Sequence, residues 1–122
     1  MNVVVLHGAL SSDAVTRALP SGDRLVQLEL TIREAGSPTA SVPLAWIGAP
    51  ARATSWLAGT ELVVRGRVQR RFFRVSGTTS SRTEVVVEAA VPARQRARAS
   101  ALVRAASVVL ADGSETDALE VR

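Results

Sequence analysis

Cysteine, lysine and tyrosine are absent from this chain of 122 residues, and histidine occurs once. Each absence excludes chemistry. Without Cys there is no disulfide framework, no thiolate-held zinc and no thiol nucleophile. Without Lys there is no phosphate-loop lysine, no Schiff base and no Ser–Lys pair. His7 alone cannot write an H-E-x-x-H zinc site. None of the eight Gly falls as G-x-G, so the dinucleotide fingerprint is missing. Carboxylates and hydroxyls alone remain for catalysis, and no nucleophile–base pair or metal cluster assembles from them. The chain reads as a non-enzyme without a cofactor. Long apolar runs are missing too. Val3–Leu6 is the apolar start of the chain, too short for a signal core or a membrane span. A cytoplasmic protein with no membrane partner is the expectation.

What is present is arginine. All fifteen basic residues are Arg, against eleven acids, for a net charge of +4. Residues 1–92 carry ten Arg and seven acids; residues 93–110 carry four Arg and no acid; residues 111–122 carry four acids and one Arg. A basic body is thus followed by a basic stretch and an acidic tail. Arg offers a planar fork to phosphate and stacks on bases, so the balance points toward nucleic acid.

The length suits one domain. Asn2–Leu10 is apolar on both parities, as in a strand covered on both faces. In a chain this short, a second subunit could supply the second cover. His7, on that second face, reads as a packed core or interface histidine. Pro20-Ser21-Gly22-Asp23 is a turn. After it, Arg24–Arg33 alternates as a half-buried strand, with Val26, Leu28, Leu30 and Ile32 on one face. Ala40–Ile47 is a third strand, in which Pro43 marks an edge or bulge. Pro50–Leu57 is the helical stretch, opened by Pro50 and stopped by Gly59. Glu61–Val75 is a long strand, Ser76–Ser81 a polar tip, and Thr83–Val91 a last strand. The order β-β-β-α-β-β predicts an all-β fold: a five-stranded antiparallel OB-fold barrel over residues 1–92, with one short helix between strands three and four. Residues 93–122 form an extension. Ala93–Leu110 reads as a partial helix, or equally as a mobile arm.

The long fourth strand holds the candidate chemistry. Its odd positions carry Arg65, Arg67 and Arg71 and end on Phe73; its even positions are largely apolar. Like charges along one face repel, and a polyanion would relieve the repulsion. Arg beside an aromatic is what sequence-independent single-strand binding uses, the Arg on phosphate and the ring on a base. Trp46 is a candidate second platform. A bulge at Gly66 would flip the phase and bring Phe72, in place of Phe73, onto the Arg face. The bland alternative is a solvated basic strand that serves solubility.

In their order and spacing, these residues resemble bacterial single-stranded DNA-binding proteins. Asn2-Val3-Val4-Val5-Leu6-His7-Gly8-Ala9-Leu10 is similar to that family's first strand. Asp13, Arg17 and Pro20-x-Gly22 match its next block. Gly59, Leu62-Val63-Val64-x-Gly66 and Arg71-x-Phe73 resemble its fourth strand, and Thr83-Glu84-Val85-Val86-Val87 its last. The resemblance covers roughly residues 2–92. It implies an OB-fold that assembles as a homotetramer, a dimer of dimers, through Asn2–Leu10. It also implies sequence-independent binding of single-stranded DNA in replication, repair or recombination. Trp46 and Phe73 fall at the family's stacking aromatics, and Arg17 at a structural position. Arg65, Arg67, Arg71, Arg33 and Arg74 are the candidate phosphate contacts. The chain departs from the family in having no aromatic between Asn2 and Ala45. Its acidic tail ends on Arg122 and lacks an aromatic tip, which argues against recruitment of repair proteins through it. The alternative function is a divergent OB-fold oligomerisation or adaptor module that binds DNA weakly or not at all.

Overall fold

Apolar residues that recur at every second position form strands, and the strands pair so that those residues meet. The computed structural model describes residues 1–120, with side chains described to residue 112. The elements are β1 (Val4–Leu10), β2 (Val15–Ala18), β3 (Arg24–Ile32), β4 (Ala40–Ile47), a 3-10 helix (Ala51–Ser55), β5 (Glu61–Val75), β6 (Thr78–Pro92) and α1 (Arg96–Glu120). The chain is mostly β, with one α-helix at the C-terminal side.

The strand order is β1-β5-β6-β4-β3-β2, and β1 also pairs with β3 at Ala9↔Thr31 and Leu10↔Leu30. The pairings therefore run from β1 through β5, β6, β4 and β3 back to β1, with β2 as a side strand. Val26, Leu30, Leu44, Leu62 and Val64 are fully enclosed within this circuit. They form one core with Leu10, Leu28, Trp46, Trp56, Val85, Val87 and Ala90.

Two features differ from the sequence expectation of five antiparallel strands. The first is β2, whose Val-Thr-Arg-Ala is exposed throughout and so has no apolar alternation to reveal it. It is held by pairing with β3 from Val15↔Gln27 to Ala18↔Arg24. The reversal at Pro20–Asp23 closes on Leu19 N–H to Asp23 O and Gly22 N–H to Leu19 O, both 2.9 Å. The second is that β4 and β6 run parallel, at Leu44↔Val85 and Ala45↔Val86. Pro43 lies just before this doubly paired stretch.

The expected helix over Pro50–Leu57 is a 3-10 turn of five residues. It ends early because Trp56 takes extended backbone (φ −68°, ψ 131°), and its ring joins the core. The tip between β5 and β6 is also tighter than expected. Val75 pairs with Thr78, leaving Ser76 and Gly77 as a two-residue turn, with φ of 51° and 78°. Positive φ at both central residues matches the right-handed twist of the flanking strands. Thr78–Ser81 therefore belong to the strand. The extension is helical from Arg96 onward. Leu102 of α1 packs on Val63 and Val91, with Ala89, Ala93 and Ala99 around them. The acidic tail expected over 111–122 has helical backbone to Glu120, and its last two residues lie outside the described residues. Among the described residues, no helix is long and apolar enough to cross a membrane.

A register shift between Arg65 and Gly66 sets the faces of the long hairpin. Arg65 pairs with Ala89 and Gly66 with Val87, so Glu88 of β6 is the extra residue. β5 keeps its alternation across this point, whereas β6 changes phase. Val85 and Val87 face the core before the bulge, and Ala90 after it. A methyl group on Gly66 would overlap the Val86 carbonyl oxygen and stand 2.9 Å from Val85 Cγ1. The backbone must move to admit it. Gly66→Ala is therefore expected to lower stability by about 1–3 kcal/mol, measured by urea denaturation. An unchanged midpoint contradicts the close approach.

Candidate nucleic-acid interface

β5 pairs with β1 from Ala9↔Glu61 to Val4↔Gly66, and beyond that only with β6. The Asn2 side chain marks the end of the body. Its Nδ2 donates to Val68 O at 2.7 Å, and its Oδ1 accepts from Val68 N–H at 2.8 Å. From there the two strands project as a ribbon over residues 67–83. Every residue of this arm except Ser80 is exposed. It carries Arg67, Arg70, Arg71, Arg74 and Arg82, with Phe72 and Phe73, and no acidic residue.

The arm has two faces, and they differ in charge. On one lie Arg65, Arg67, Gln69, Arg71 and Phe73, opposite Glu84, Arg82 and Ser80 of β6. Arg71 stands directly across from Arg82, a like-charge pair that is unfavourable at cross-strand distance. Carboxylates of the chain relieve it. Arg71 Nε is 3.6 Å from Glu84 Oε1, and Arg82 Nη2 is 3.6 Å from Glu29 Oε2. Arg65 Nε lies 4.0 Å from Glu88 Oε1. Glu84 is the buried member of these pairs, 6% exposed. So the repulsion along this stripe, which in the sequence calls for an external polyanion, is offset largely within the molecule. Among the described residues, Arg67 is the one arginine of the stripe with no ion-pair partner.

The opposite face carries Val68, Arg70, Phe72 and Arg74, across from Thr83, Ser81 and Thr79. Arg70 Nε donates to Ser81 Oγ at 3.1 Å. Each Phe is flanked by a guanidinium: Arg70 Cζ is 5.9 Å from the Phe72 ring centre, and Arg71 Cζ is 6.0 Å from that of Phe73. Phe72 is 67% exposed and Phe73 39%. Because the extra residue of the bulge sits on β6, the phase of β5 does not flip, and Phe73 shares the face of Arg67 and Arg71.

Of the expected site residues, Arg65, Arg67, Arg71 and Phe73 come together on one face. Arg74 lies on the other. Arg33 follows the far end of β3, beside His7, Ala9 and Glu61. Glu61 starts β5 and the arm leaves at Arg67, about 20 Å along the strand by its rise per residue, so Arg33 stands apart from the arm. Trp46 requires a correction. It is 7% exposed and belongs to the core, its ring centre 6.1 Å from that of Trp56 with the planes at 30°. It shares the inward parity of Leu44, so its ring offers no surface to a base. Arg70 and Arg82 are arm residues that sequence periodicity does not assign, and Phe72 enters only through a phase flip of β5 that does not occur. Phe72 and Arg70 fell on the parity read as apolar, and Arg82 within or beside the polar tip. Arg17 donates to Gln27 Oε1 at 2.8 Å, and Asp13 Oδ1 accepts from Ala58 N–H at 2.8 Å; both contacts tie the body together.

The chain matches no protein-family model and no curated protein.

With both tryptophans in the core, intrinsic fluorescence should be shielded. Iodide is expected to quench the folded protein several-fold less than the urea-unfolded chain. Equal quenching in the two states contradicts the burial of Trp46.

Proposed function

We propose that this chain is an OB-fold protein that binds single-stranded DNA without sequence preference, and that the β5–β6 arm is its principal contact. The observation that carries this reading is the arm itself: five Arg, two exposed Phe and no acid on a ribbon that folding does not need to bury. Guanidinium groups take the phosphates, and the exposed rings stack on bases of any identity. The circuit of strand pairings, with a short helical turn between β4 and β5, supports an OB-fold barrel as the platform. Phe73 is the stacking residue of the family-like stripe. Arg67, which has no ion-pair partner among the described residues, and Arg71 take phosphate there. The Arg65–Glu88 pair is partly exposed and weak, so phosphate can replace that carboxylate, whereas Arg71 approaches the buried Glu84 through Nε and offers phosphate its terminal nitrogens.

A second reading rests on a different observation. Val5 and His7 on the outer face of β1 are exposed in the single chain, as are Val103, Val108, Val109 and Leu110 of α1. Such apolar exposure suits assembly with further copies, in line with oligomerisation through Asn2–Leu10. An assembly or adaptor module would need these surfaces and not the arm.

One experiment separates the two readings. A labelled oligothymidine is titrated by anisotropy over a series of salt concentrations, with molecular mass measured by light scattering in parallel. Binding through the arm predicts affinity that falls steeply with salt. Arg67→Gln should reduce the log–log slope by about 0.7, the share of one single-strand phosphate contact. No binding at low salt, or binding that salt and Arg67→Gln leave unchanged, overturns the single-strand reading. A mass above the monomer in that case favours the adaptor.

A further inference from the structure

Both faces of the arm carry an aromatic and arginines, but they keep their charge unequally. On the Phe73 face, Arg65, Arg71 and Arg82 each have a carboxylate within 4.0 Å. On the Phe72 face, the neighbours of Arg70 and Arg74 across the ribbon are Thr83, Ser81 and Thr79. These are hydroxyls, which carry no charge to offset the guanidinium and can themselves donate to phosphate. Among the described residues, neither Arg70 nor Arg74 has an acidic partner.

From this asymmetry we infer that the primary nucleic-acid track is the Arg70–Phe72–Arg74 face, and that the Arg65–Arg67–Arg71–Phe73 stripe is secondary. The inference rests on the single-strand reading above and assigns a different set of residues within the same arm. Three points carry it. Phe72 is the more open ring, 67% exposed against 39%, so a base covers it without displacing protein. Arg70 is already oriented, with Nε on Ser81 Oγ and its guanidinium carbon 5.9 Å from the Phe72 ring centre. Its bond through Nε leaves both terminal nitrogens for a phosphate. Arg70, Phe72 and Arg74 stand at successive same-face positions of one strand, about 6.5–7 Å apart by strand rise. That is close to the backbone repeat of an extended single strand, so the face presents phosphate, base and phosphate contacts in step.

The test compares Phe72→Ala and Phe73→Ala in the full chain, with oligothymidine as the probe and thermal melting as the control for folding. Both rings are exposed, so neither truncation empties the core. Phe72→Ala is expected to weaken binding at least fivefold, and Phe73→Ala by less than half that factor. The double variant Arg70→Gln/Arg74→Gln should reduce the salt slope by about 1.4, two single-strand phosphates. If Phe73→Ala costs as much as Phe72→Ala or more while wild type binds, the assignment of the face is wrong and the single-strand reading stands. If wild-type protein fails to bind at low salt, both fall together.

Discussion

The structure turns on the point where β5 changes neighbours. At Gly66 the strand loses β1, meets a bulge in β6, and approaches the Val86 carbonyl too closely for any Cβ. A slip of one residue moves every side chain of a strand to the other face. Here the slip is confined to β6 and placed at Glu88. Val85 and Val87 therefore fill the core on one side of the bulge. On the other side Ala90 does so, while Ala89 and Val91 turn outward to meet Val63 and α1. Without the extra residue, either the core or the helix seat would receive the wrong face. The same point separates a packed body from an exposed ribbon.

Charge on that ribbon follows from its register. The pairing sets Arg71 against Arg82 and lets Glu84 and Glu29 reach them. Partly exposed ion pairs such as Arg82–Glu29 contribute little to stability, but they set how much positive field a face presents. One face is left nearly balanced and the other keeps two arginines among hydroxyls. An arm with no acidic residue of its own thus acquires a polarity from carboxylates on the body. A ring on each side, with a guanidinium near it, gives both faces the same chemistry at different strength.

Much of this was legible in the residues. Ala40–Ile47 and Glu61–Val75 stand in the structure with the bounds that their alternation and flanking turn residues indicate. β2 was not legible, because its four exposed residues take their conformation from the Pro20–Asp23 turn and from β3. The Ser/Thr-rich segment after Gly77 reads as loop by composition, yet it is strand because the turn needs only two residues. Trp46 shares its parity with Val42 and Leu44 and turns inward with them, because an aromatic on a strand does not by itself lie on a binding face. The neutralised stripe could not be seen. Arg65, Arg67 and Arg71 are plain in the sequence, but which carboxylates face them depends on a register that a one-residue bulge decides. Phe72 turns on the same register: the sequence admits it to the Arg face only if a bulge flips β5, and the extra residue falls on β6 instead.

The central claim is that the arm, rather than the body or α1, meets nucleic acid. Backbone amide shifts recorded by NMR during titration with oligothymidine test it directly. The account predicts that the largest changes fall within residues 67–83, centred on Arg70–Arg74, while Trp46 and the rest of the core stay in place. Changes confined to α1 or to the outer face of β3 and β4, with the arm unmoved, would contradict it.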